Sequence, residues 1–385
     1  MNQIAALVAR ADQAAAQGQL DEARTLLEQA AELEGDDPSI FLKLAGLQRA
    51  TGDPHGALGS AHRALALEPR NFTALLLRAS LLERLADADS KEAWSHALVQ
   101  QPPGDPPEHL AGIIDHARVR AREWVAEREA KFAAAMAASE ASANEEERHR
   151  LERFRSNSLR RTTIFHSSPT QFHFPELTER EFHPRRLFPW IEELEQQTDA
   201  IAEELQRVMA AERAELVPYI VYPDHMPLDQ WQALNKSRDW TAIHLLQNGE
   251  PIEANARHCP VTMEIVGGCD QPHVAGSSPN AMFSLLAPQT AIPPHVGVNN
   301  ARLVCHLPLI VPEGCWFRVG EQRRDWVRGE AFVFDDTIEH EAMNSSDELR
   351  VVLIFDVWNP ELSPIERDGV AALIASENKP DSGGL

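Results

Sequence analysis

The chain has 385 residues, of which 43% are hydrophobic, and its 36 basic and 59 acidic side chains give a formal net charge of −23. This length predicts two or three domains with proper hydrophobic cores, and the acidic balance argues against nucleic acid or an anionic membrane as a general partner. No apolar run reaches the length of a membrane span or a secretory signal, and four scattered cysteines are typical of a reducing compartment, so we expect a cytoplasmic protein.

Residues 1–100 are rich in Ala and Leu and repeat themselves at a spacing of 34 residues. The repeated positions are Gly18 and Gly52, Ala23 and Ala57, Ala30 and Ala64, and Leu33 and Leu67. This period resembles that of tetratricopeptide repeats, in which each unit is a pair of helices. Two clear units and a degenerate third through residues 74–98 predict a short solenoid with a groove for a peptide or protein partner. A helical spacer or dimer surface with no groove ligand stays open as the alternative.

Residues 101–164 are predicted to connect this solenoid to a second domain. The segment 101–107 contains four prolines, which predict a stiff break at the domain boundary. The chain from 108 to about 161 is charged and Ala-rich, and its apolar residues follow helical spacing. We therefore expect one or two long connecting helices.

The second predicted domain covers residues 165–370, and residues 371–385 are taken as a C-terminal tail. Residues 168–177 predict an extended entry. Apolar residues then fit one face of a helix that would pack on the outside of a β-sandwich. These residues are Trp190, Ile191, Leu194, Ile201, Leu205 and Val208.

Two histidines stand at the ends of predicted strands in this domain. His295 follows two prolines, and His340 follows an apolar strand at residues 330–334. A β-barrel or jelly roll brings such strand ends together at its mouth, where ligands bind. Non-haem Fe(II) oxygenases hold their metal with imidazoles and leave adjacent positions open, so this pair predicts an iron site. A hydrogen-bonded structural role is the alternative for each histidine taken alone.

Arg350 opens a predicted strand at residues 349–358. Strand alternation places Arg350, Val352 and Ile354 on one face. An arginine buried on that face needs a carboxylate, and the distal carboxylate of 2-oxoglutarate can accept two parallel hydrogen bonds from a guanidinium. The alternative is a surface salt bridge from Arg350 to Asp347 or Glu348.

An ordered set of motifs over this region resembles the aspartyl/asparaginyl β-hydroxylases, which are Fe(II)- and 2-oxoglutarate-dependent dioxygenases. The residues that carry the likeness are His295, Gly297, Asn300, Arg302, His306, Pro312, Gly314, Phe334, Asp335, Asp336, Glu339, His340, Glu341, Arg350, Asp356, Trp358, Pro360 and Pro364. The resemblance implies an all-β double-stranded β-helix of the jelly-roll or cupin type with flanking helices. It also implies hydroxylation at the β-carbon of an aspartyl or asparaginyl residue or a related small acidic substrate.

The resemblance further implies that His295 and His340 bind Fe(II), with Gly297 at the position of the missing carboxylate ligand. The residues implied to hold 2-oxoglutarate are Ser284, His306 and Arg350. One position differs, because the family pattern has an arginine two residues before His306 where this chain has Val304. Arg302 shares that strand face, and we expect it to compensate.

Two other functions stay open. The first is a tetratricopeptide adaptor whose metal-binding β-domain is catalytically idle, a reading that Val304 favours. The second is a metal-binding jelly roll with other chemistry, such as a zinc-dependent hydrolase, which the absence of a third strong ligand disfavours. Asp335 and Asp336 are rival ligands, although two aspartates after a strand more commonly shape a turn.

Overall fold

The structure, a computed structural model, describes residues 2–33, 36–211, 216–223, 225 and 228–377, and the chain divides into two compact units, Met1–Arg161 and Thr162–Leu385. The described part of the first unit is helical. Its helices are α1 (Asn2–Ala16), α2 (Leu20–Leu33), α3 (Pro38–Ala50), α4 (Pro54–Leu67), α5 (Phe72–Arg84), α6 (Ser90–Val99), α7 (Glu108–Ser142) and α8 (Glu145–Ser158). The first six helices pack as three successive pairs, which confirms the predicted helical repeats.

The repeat helices approach closely because small residues stand at the predicted spacing. Ala23 and Ala57 are completely buried, and so are Ala30 and Ala64, about two helical turns further along. The helices also begin at similar signals: Asp53 accepts a hydrogen bond from the Gly56 amide at 2.8 Å, and a proline follows it at the first helical position. Local sequence and tertiary packing therefore agree in this unit.

The segment predicted to connect the two domains contains two helices, α7 and α8, and both belong to the first compact unit. α7 begins directly after the proline-rich break and buries Ile114 and Ala117 against the last repeat helix. α8 returns beside α7, where Arg155 donates to Glu140 at 2.7 Å. Among the described residues, we find no helix with the length and apolar character that a membrane crossing requires.

The second unit contains two antiparallel sheets and flanking helices, which confirms the predicted fold class. Its helices are α9 (Ile191–Gln196), α10 (Thr198–Ala210), α11 (Glu253–Ala256), α12 (Pro260–Gly267) and α13 (Pro364–Glu377). Its strands are β1 (Val217–Pro218), β2 (Trp240–Gln247), β3 (Glu250–Pro251), β4 (Ala281–Leu286), β5 (Thr290–His295), β6 (Arg302–Ile310), β7 (Cys315–Val319), β8 (Gln322–Asp325), β9 (Phe332–Phe334), β10 (His340–Asn344) and β11 (Arg350–Trp358). The larger sheet has the order β1-β2-β4-β11-β6-β9 with β3 beside β2, and the smaller has the order β5-β10-β7-β8.

The outer face of the larger sheet carries the main hydrophobic core. Phe283, Leu353 and Phe355 point to this face and pack against α9 and α10. The six apolar residues predicted to cover the sheet do lie in or against this core. The single predicted helix is wrong in one respect, because the segment breaks at Gln197 into two helices that share one apolar face.

The inner faces of the two sheets enclose a second core with a cavity. Arg350, Val352 and Ile354 alternate to this inner face, as predicted for β11. Because both faces of the larger sheet are covered, β4 and β6 are buried along nearly their whole length. The inner face therefore places polar side chains in a protected interior.

Segments at both ends of the β-domain also pack onto it. The predicted extended entry runs beside the loop after β5, where the Thr170 amide donates to the Gly297 carbonyl at 3.0 Å. At the other end, α13 buries Ile374 beside Trp358 and Leu362. Residues 371–377 thus continue a packed helix rather than a tail, and 378–385 lie outside the described residues.

Candidate active site

The strand register places the two predicted metal ligands face to face. His340 on β10 pairs directly with His295 on β5, and their ring centroids are 4.0 Å apart. The two prolines before His295 leave it at the end of its strand, where the chain turns toward Gly297. Two imidazoles distant in sequence therefore meet at one point between the sheets.

Hydrogen bonds fix the tautomers of both rings. His295 Nδ1 lies 2.7 Å from the Pro293 carbonyl, and His340 Nδ1 lies 3.1 Å from the Ile338 carbonyl. A carbonyl oxygen only accepts, so Nδ1 must carry the proton and Nε2 keeps a lone pair. Burial lowers the pKa of His295 to about 3 and that of His340 to about 4. Both rings are therefore neutral near pH 7, the state that binds a metal.

The space beside the two histidines is shaped by Gly297. A Cβ atom at this position would overlap the carboxylate of Asp336, so no side chain can stand there without moving Asp336. The Gly297 amide also donates to the Asp336 carbonyl at 2.7 Å. Asp336 itself forms a buried ion pair with Arg302 at 3.1 Å. The carboxylate close to the histidine pair is therefore that of Asp336 in the Phe-Asp-Asp motif, and position 297 supplies none.

Both aspartates of the rival metal arrangement contact other side chains, Asp336 that of Arg302 and Asp335 that of Thr337. In the part of the chain that the structure covers, no three His, Cys, Asp or Glu side chains are grouped so as to hold a metal ion. Asp335 instead accepts hydrogen bonds from the Thr337 amide at 2.9 Å and from its hydroxyl at 2.5 Å. These bonds shape the turn that leads to His340, which is the structural role predicted for Asp335.

Arg350 is buried on the inner face, with 2% of its surface exposed. Its Nε atom has no hydrogen-bond partner among the described residues, and burial lowers its pKa to about 10. It therefore remains protonated at neutral pH. The surface salt bridge considered from the sequence does not agree with this burial, whereas a ligand carboxylate would suit it.

Ser284 and His306 line the same cavity. The Ser284 hydroxyl accepts a hydrogen bond from Trp240 Nε1 at 3.0 Å, which leaves its own proton free to donate. His306 Nδ1 is buried without a partner in the described chain. Burial and the neighbouring Arg350 lower the pKa of His306, so its ring is neutral.

Arg302 differs from Arg350 because a carboxylate already neutralises it. Burial lowers the pKa of Arg302, but the carboxylates of Asp336 and Asp356 outweigh burial and raise it. Val304 lies on the cavity wall between Arg302 and His306 along β6 and is 8% exposed. The guanidinium predicted to compensate for Val304 is thus engaged with Asp336.

All six predicted site residues line one cavity of about 480 Å³ between the sheets, within the range of roughly 300–1,000 Å³ usual for small-molecule sites. The motifs did not identify its aromatic lining. These missed residues are Tyr219, Trp231, Trp240 and Trp326. Tyr219, Trp231 and Trp326 come from short or irregular segments, whereas Trp240 begins β2. Only their aromatic character distinguished these four residues in the sequence.

Comparison with known proteins confirms both resemblances over part of the chain. Residues 195–360 match the sequence profile of the family described as aspartyl/asparaginyl beta-hydroxylase, and residues 4–47 match a tetratricopeptide repeat. Similar proteins include the mouse aspartyl/asparaginyl beta-hydroxylase, 32% identical over 153 residues that make up 38% of this chain and 20% of that protein.

Two further relatives are named for different activities. The human aspartate beta-hydroxylase domain-containing protein 2 is 34% identical over 145 residues, which are 36% of this chain and 38% of the relative. The ornithine lipid ester-linked acyl 2-hydroxylase of Rhizobium tropici is 36% identical over 180 residues, 46% of this chain and 60% of the relative. The matches thus span less than two thirds of these proteins.

Proposed function

We propose that this chain, whose residues 195–360 match the aspartyl/asparaginyl β-hydroxylase family, is an Fe(II)- and 2-oxoglutarate-dependent dioxygenase. The observation that carries the proposal is the cavity between the sheets. It contains two neutral imidazoles, those of His295 and His340, whose Nδ1 atoms are bonded to backbone carbonyls and whose Nε2 atoms are left for a metal. It also contains the buried guanidinium of Arg350, which lacks an acidic partner among the described residues.

The donor set fits a divalent iron ion. His295 and His340 would bind it through Nε2, since their Nδ1 atoms are held by backbone carbonyls. Gly297 supplies no third ligand, and the Asp336 carboxylate occupies the space that a side chain at this position would fill. When bound, the iron would supply dioxygen activation and oxidation of a C–H bond, with decarboxylation of 2-oxoglutarate to succinate as the source of electrons.

The protein would hold the co-substrate by its far carboxylate. Arg350 is charged, buried and unpaired in the described chain, so an anion there would replace the solvation that it lost on folding. The hydroxyl of Ser284 and the ring of His306 line the same cavity and would complete the hydrogen bonds.

Aromatic side chains would exclude water from the reacting centre. The Trp231 ring lies 5.0 Å from the His295 ring, and Trp240 stacks on Tyr219 at 3.8 Å between centroids. Burial raises the pKa of Tyr219 to about 12, so this phenol stays protonated and would not act as a base near neutral pH. We assign these rings to enclosure and orientation.

The proposed target is the β-carbon of an amino-acid side chain or a related position in a small acid. Within that class, the charge pattern favours an uncharged group, because Arg302 is already paired with Asp336 and lies near Asp356. An asparaginyl side chain suits this pattern better than an aspartyl one. Hydroxylation of an acyl chain, the activity in the name of the Rhizobium relative, is equally compatible with it.

A second function is favoured by one specific observation. Val304 presents an apolar side chain to the cavity where the family pattern has an arginine. If this change abolishes co-substrate binding, the chain would be an adaptor whose repeats recruit a protein or peptide while the β-domain is idle.

Succinate release from 2-oxoglutarate separates these proposals. The full chain is loaded anaerobically with Fe(II), and succinate is measured after air is admitted. We expect release by the wild type and only background release by His340→Ala. His166→Ala, at a side chain that is 74% exposed, is the matched control and should behave like the wild type. Release that survives His340→Ala would contradict the dioxygenase proposal.

A further inference from the structure

Trp326 lies between the two side chains proposed to hold the far end of the co-substrate. It directly follows β8 and is only 7% exposed. Its ring stacks on His306 at a centroid distance of 5.5 Å and an interplanar angle of 19°. The Arg350 Cζ atom lies 5.3 Å from the centroid of the same ring. One indole therefore contacts both side chains and lines the cavity with them.

Three buried nitrogen atoms in this corner have no hydrogen-bond partner in the described part of the chain. They are Trp326 Nε1, His306 Nδ1 and Arg350 Nε. An indole and a guanidinium can only donate, and leaving a buried donor unpaired is unfavourable. Native interiors rarely tolerate several such atoms together, so their grouping indicates a missing acceptor. Core packing alone would explain the burial of Trp326 but not this grouping.

We propose that Trp326 is a co-substrate-positioning residue that acts in two ways. Its indole N–H donates a hydrogen bond to the distal carboxylate of a 2-oxo dicarboxylic acid, and its ring face holds the Arg350 guanidinium in the orientation that receives that carboxylate. A guanidinium over an indole face is a favourable cation–π contact, especially when both are desolvated. This inference rests on the proposed dioxygenase function.

The two contributions can be separated by substitution. Trp326→Phe keeps a ring face for Arg350 but removes the N–H donor, whereas Trp326→Leu removes both. Trp316→Phe is the matched control, because Trp316 on β7 also carries a guanidinium over its ring, that of Arg323 at 4.5 Å, yet it is not part of the cavity lining.

The experiment measures binding rather than turnover. 2-Oxoglutarate is titrated calorimetrically into the full chain loaded anaerobically with Mn(II). We expect the Kd to rise about tenfold for Trp326→Phe, as for loss of one hydrogen bond to a charged group. It should rise further for Trp326→Leu and stay unchanged for Trp316→Phe. 2-Oxobutyrate, which lacks the distal carboxylate, should bind wild type and Trp326→Phe equally.

A second measurement needs no substitution. In the Zn(II)-loaded wild type, the indole N–H signal of Trp326, assigned by its contacts to the His306 ring, should move downfield with 2-oxoglutarate and not with 2-oxobutyrate.

The role of Trp326 would be overturned if wild type and Trp326→Phe bound 2-oxoglutarate equally. It would also be overturned if Trp326→Phe lost the same affinity for 2-oxoglutarate as for 2-oxobutyrate. Neither result would contradict the dioxygenase proposal. A wild type that binds no 2-oxoglutarate would instead overturn the dioxygenase proposal, and this role with it.

Discussion

Arg350 carries a buried positive charge that the described chain does not neutralise with a carboxylate, so its removal should act mainly on ligand binding. A hydrogen bond to a charged group contributes about 1.5–3 kcal/mol. We therefore expect Arg350→Ala to weaken apparent 2-oxoglutarate affinity by about one to two powers of ten. Arg350→Lys should recover only part of the loss, because an ammonium does not reproduce two parallel hydrogen bonds.

The measurement is the concentration of 2-oxoglutarate that gives half-maximal succinate release. Arg323→Ala is the control, since the Arg323 side chain is 58% exposed on β8 of the smaller sheet. An unchanged value for Arg350→Ala would count against its role as the anchor.

Arg302 should behave differently, because it is half of a buried ion pair with Asp336. Removal of one partner leaves an uncompensated buried charge and typically costs about 3–5 kcal/mol. We expect Arg302→Ala to lower the urea midpoint of the β-domain clearly, in contrast to Arg350→Ala, which leaves no buried carboxylate behind.

The same variant tests the predicted compensation for Val304. If Arg302 also helps to hold 2-oxoglutarate, the affinity of the folded variant should fall below that of the wild type. Wild-type affinity in a folded Arg302→Ala protein would exclude compensation and leave Asp336 as the partner that explains its burial.

Strand position and residue type were sufficient to predict three polar residues of the candidate site, because His295 and His340 end or begin strands and Arg350 opens one. Ser284 and His306 were predicted only from the family resemblance. Trp326 could not be found in this way. Its proposed role depends on contacts with His306 and Arg350, which come from two other strands.

The turns of the helical repeats show how the third unit departs from the first two. Gly18 and Gly52 end their helices in the left-handed region, with φ of 78° and 84°, and Ala86 occupies the equivalent turn with φ of 55°. A left-handed conformation costs a residue with a Cβ atom about 1–2 kcal/mol. Ala86→Gly should therefore stabilise the helical unit, by about 1 kcal/mol once the greater entropy of glycine in the unfolded chain is deducted.

Chemical denaturation followed by circular dichroism at a helix wavelength measures this change. Gly52→Ala is the reciprocal control and should destabilise the unit by a similar amount. A loss of stability in Ala86→Gly would contradict the view that the third repeat is strained at this turn.

Glu204 on α10 anchors a second helix by its side chain. Its carboxylate is fully buried and accepts hydrogen bonds from the Val261 amide at 2.9 Å and the Thr262 amide at 2.8 Å. These donors belong to the first turn of α12, which has no side-chain cap of its own at Cys259. The carboxylate also suits the positive end of the helix dipole.

Glu204→Ala should destabilise the β-domain by about 2 kcal/mol, the upper range for loss of a helix cap. Thermal unfolding measures this, with Glu203→Ala at the exposed neighbouring position as the control. Equal unfolding temperatures for the two variants would show that Glu204 does not hold α12 in place.

Most elements were predictable from periodicity, but their ends were not. The apolar face from Trp190 to Val208 gave no sign of the break at Gln197, because α9 and α10 bury the same side. At the other end, the chain after Pro364 lacked a strong apolar pattern. The helix α13 is defined there by packing of Ile374 against Trp358 and Leu362, which only the folded sheet provides.

At the scale of the whole molecule, two signals of different kinds predicted two units. A spacing of 34 residues indicated the helical repeats, and the family resemblance implied the sheets. The cavity could not be derived from either signal. The volume and charge of the cavity depend on which side chains lie on the inner faces of the two sheets. The register between neighbouring strands determines where along each sheet these side chains stand.

Charge at both long and short range opposes an acidic substrate. The chain has a formal net charge of −23, which slows the approach of an acidic peptide at low ionic strength. Inside the cavity, Arg302 is paired with Asp336 and influenced by Asp356. Among the described residues, no unpaired cation besides Arg350, the proposed co-substrate anchor, therefore lines it. These two effects act in the same direction.

We therefore expect an asparaginyl peptide to be hydroxylated faster than its aspartyl counterpart. Two peptides that differ only at this residue compete in one reaction, and mass spectrometry follows the gain of one oxygen atom in each. Added salt should reduce the long-range part of the preference but leave the local part, since buried charges are screened much less than exposed ones. Val304→Arg, which adds a cation to the cavity wall, should shift turnover toward the aspartyl peptide. A wild-type preference for the aspartyl peptide would mean that Asp336 gives up Arg302 to the substrate.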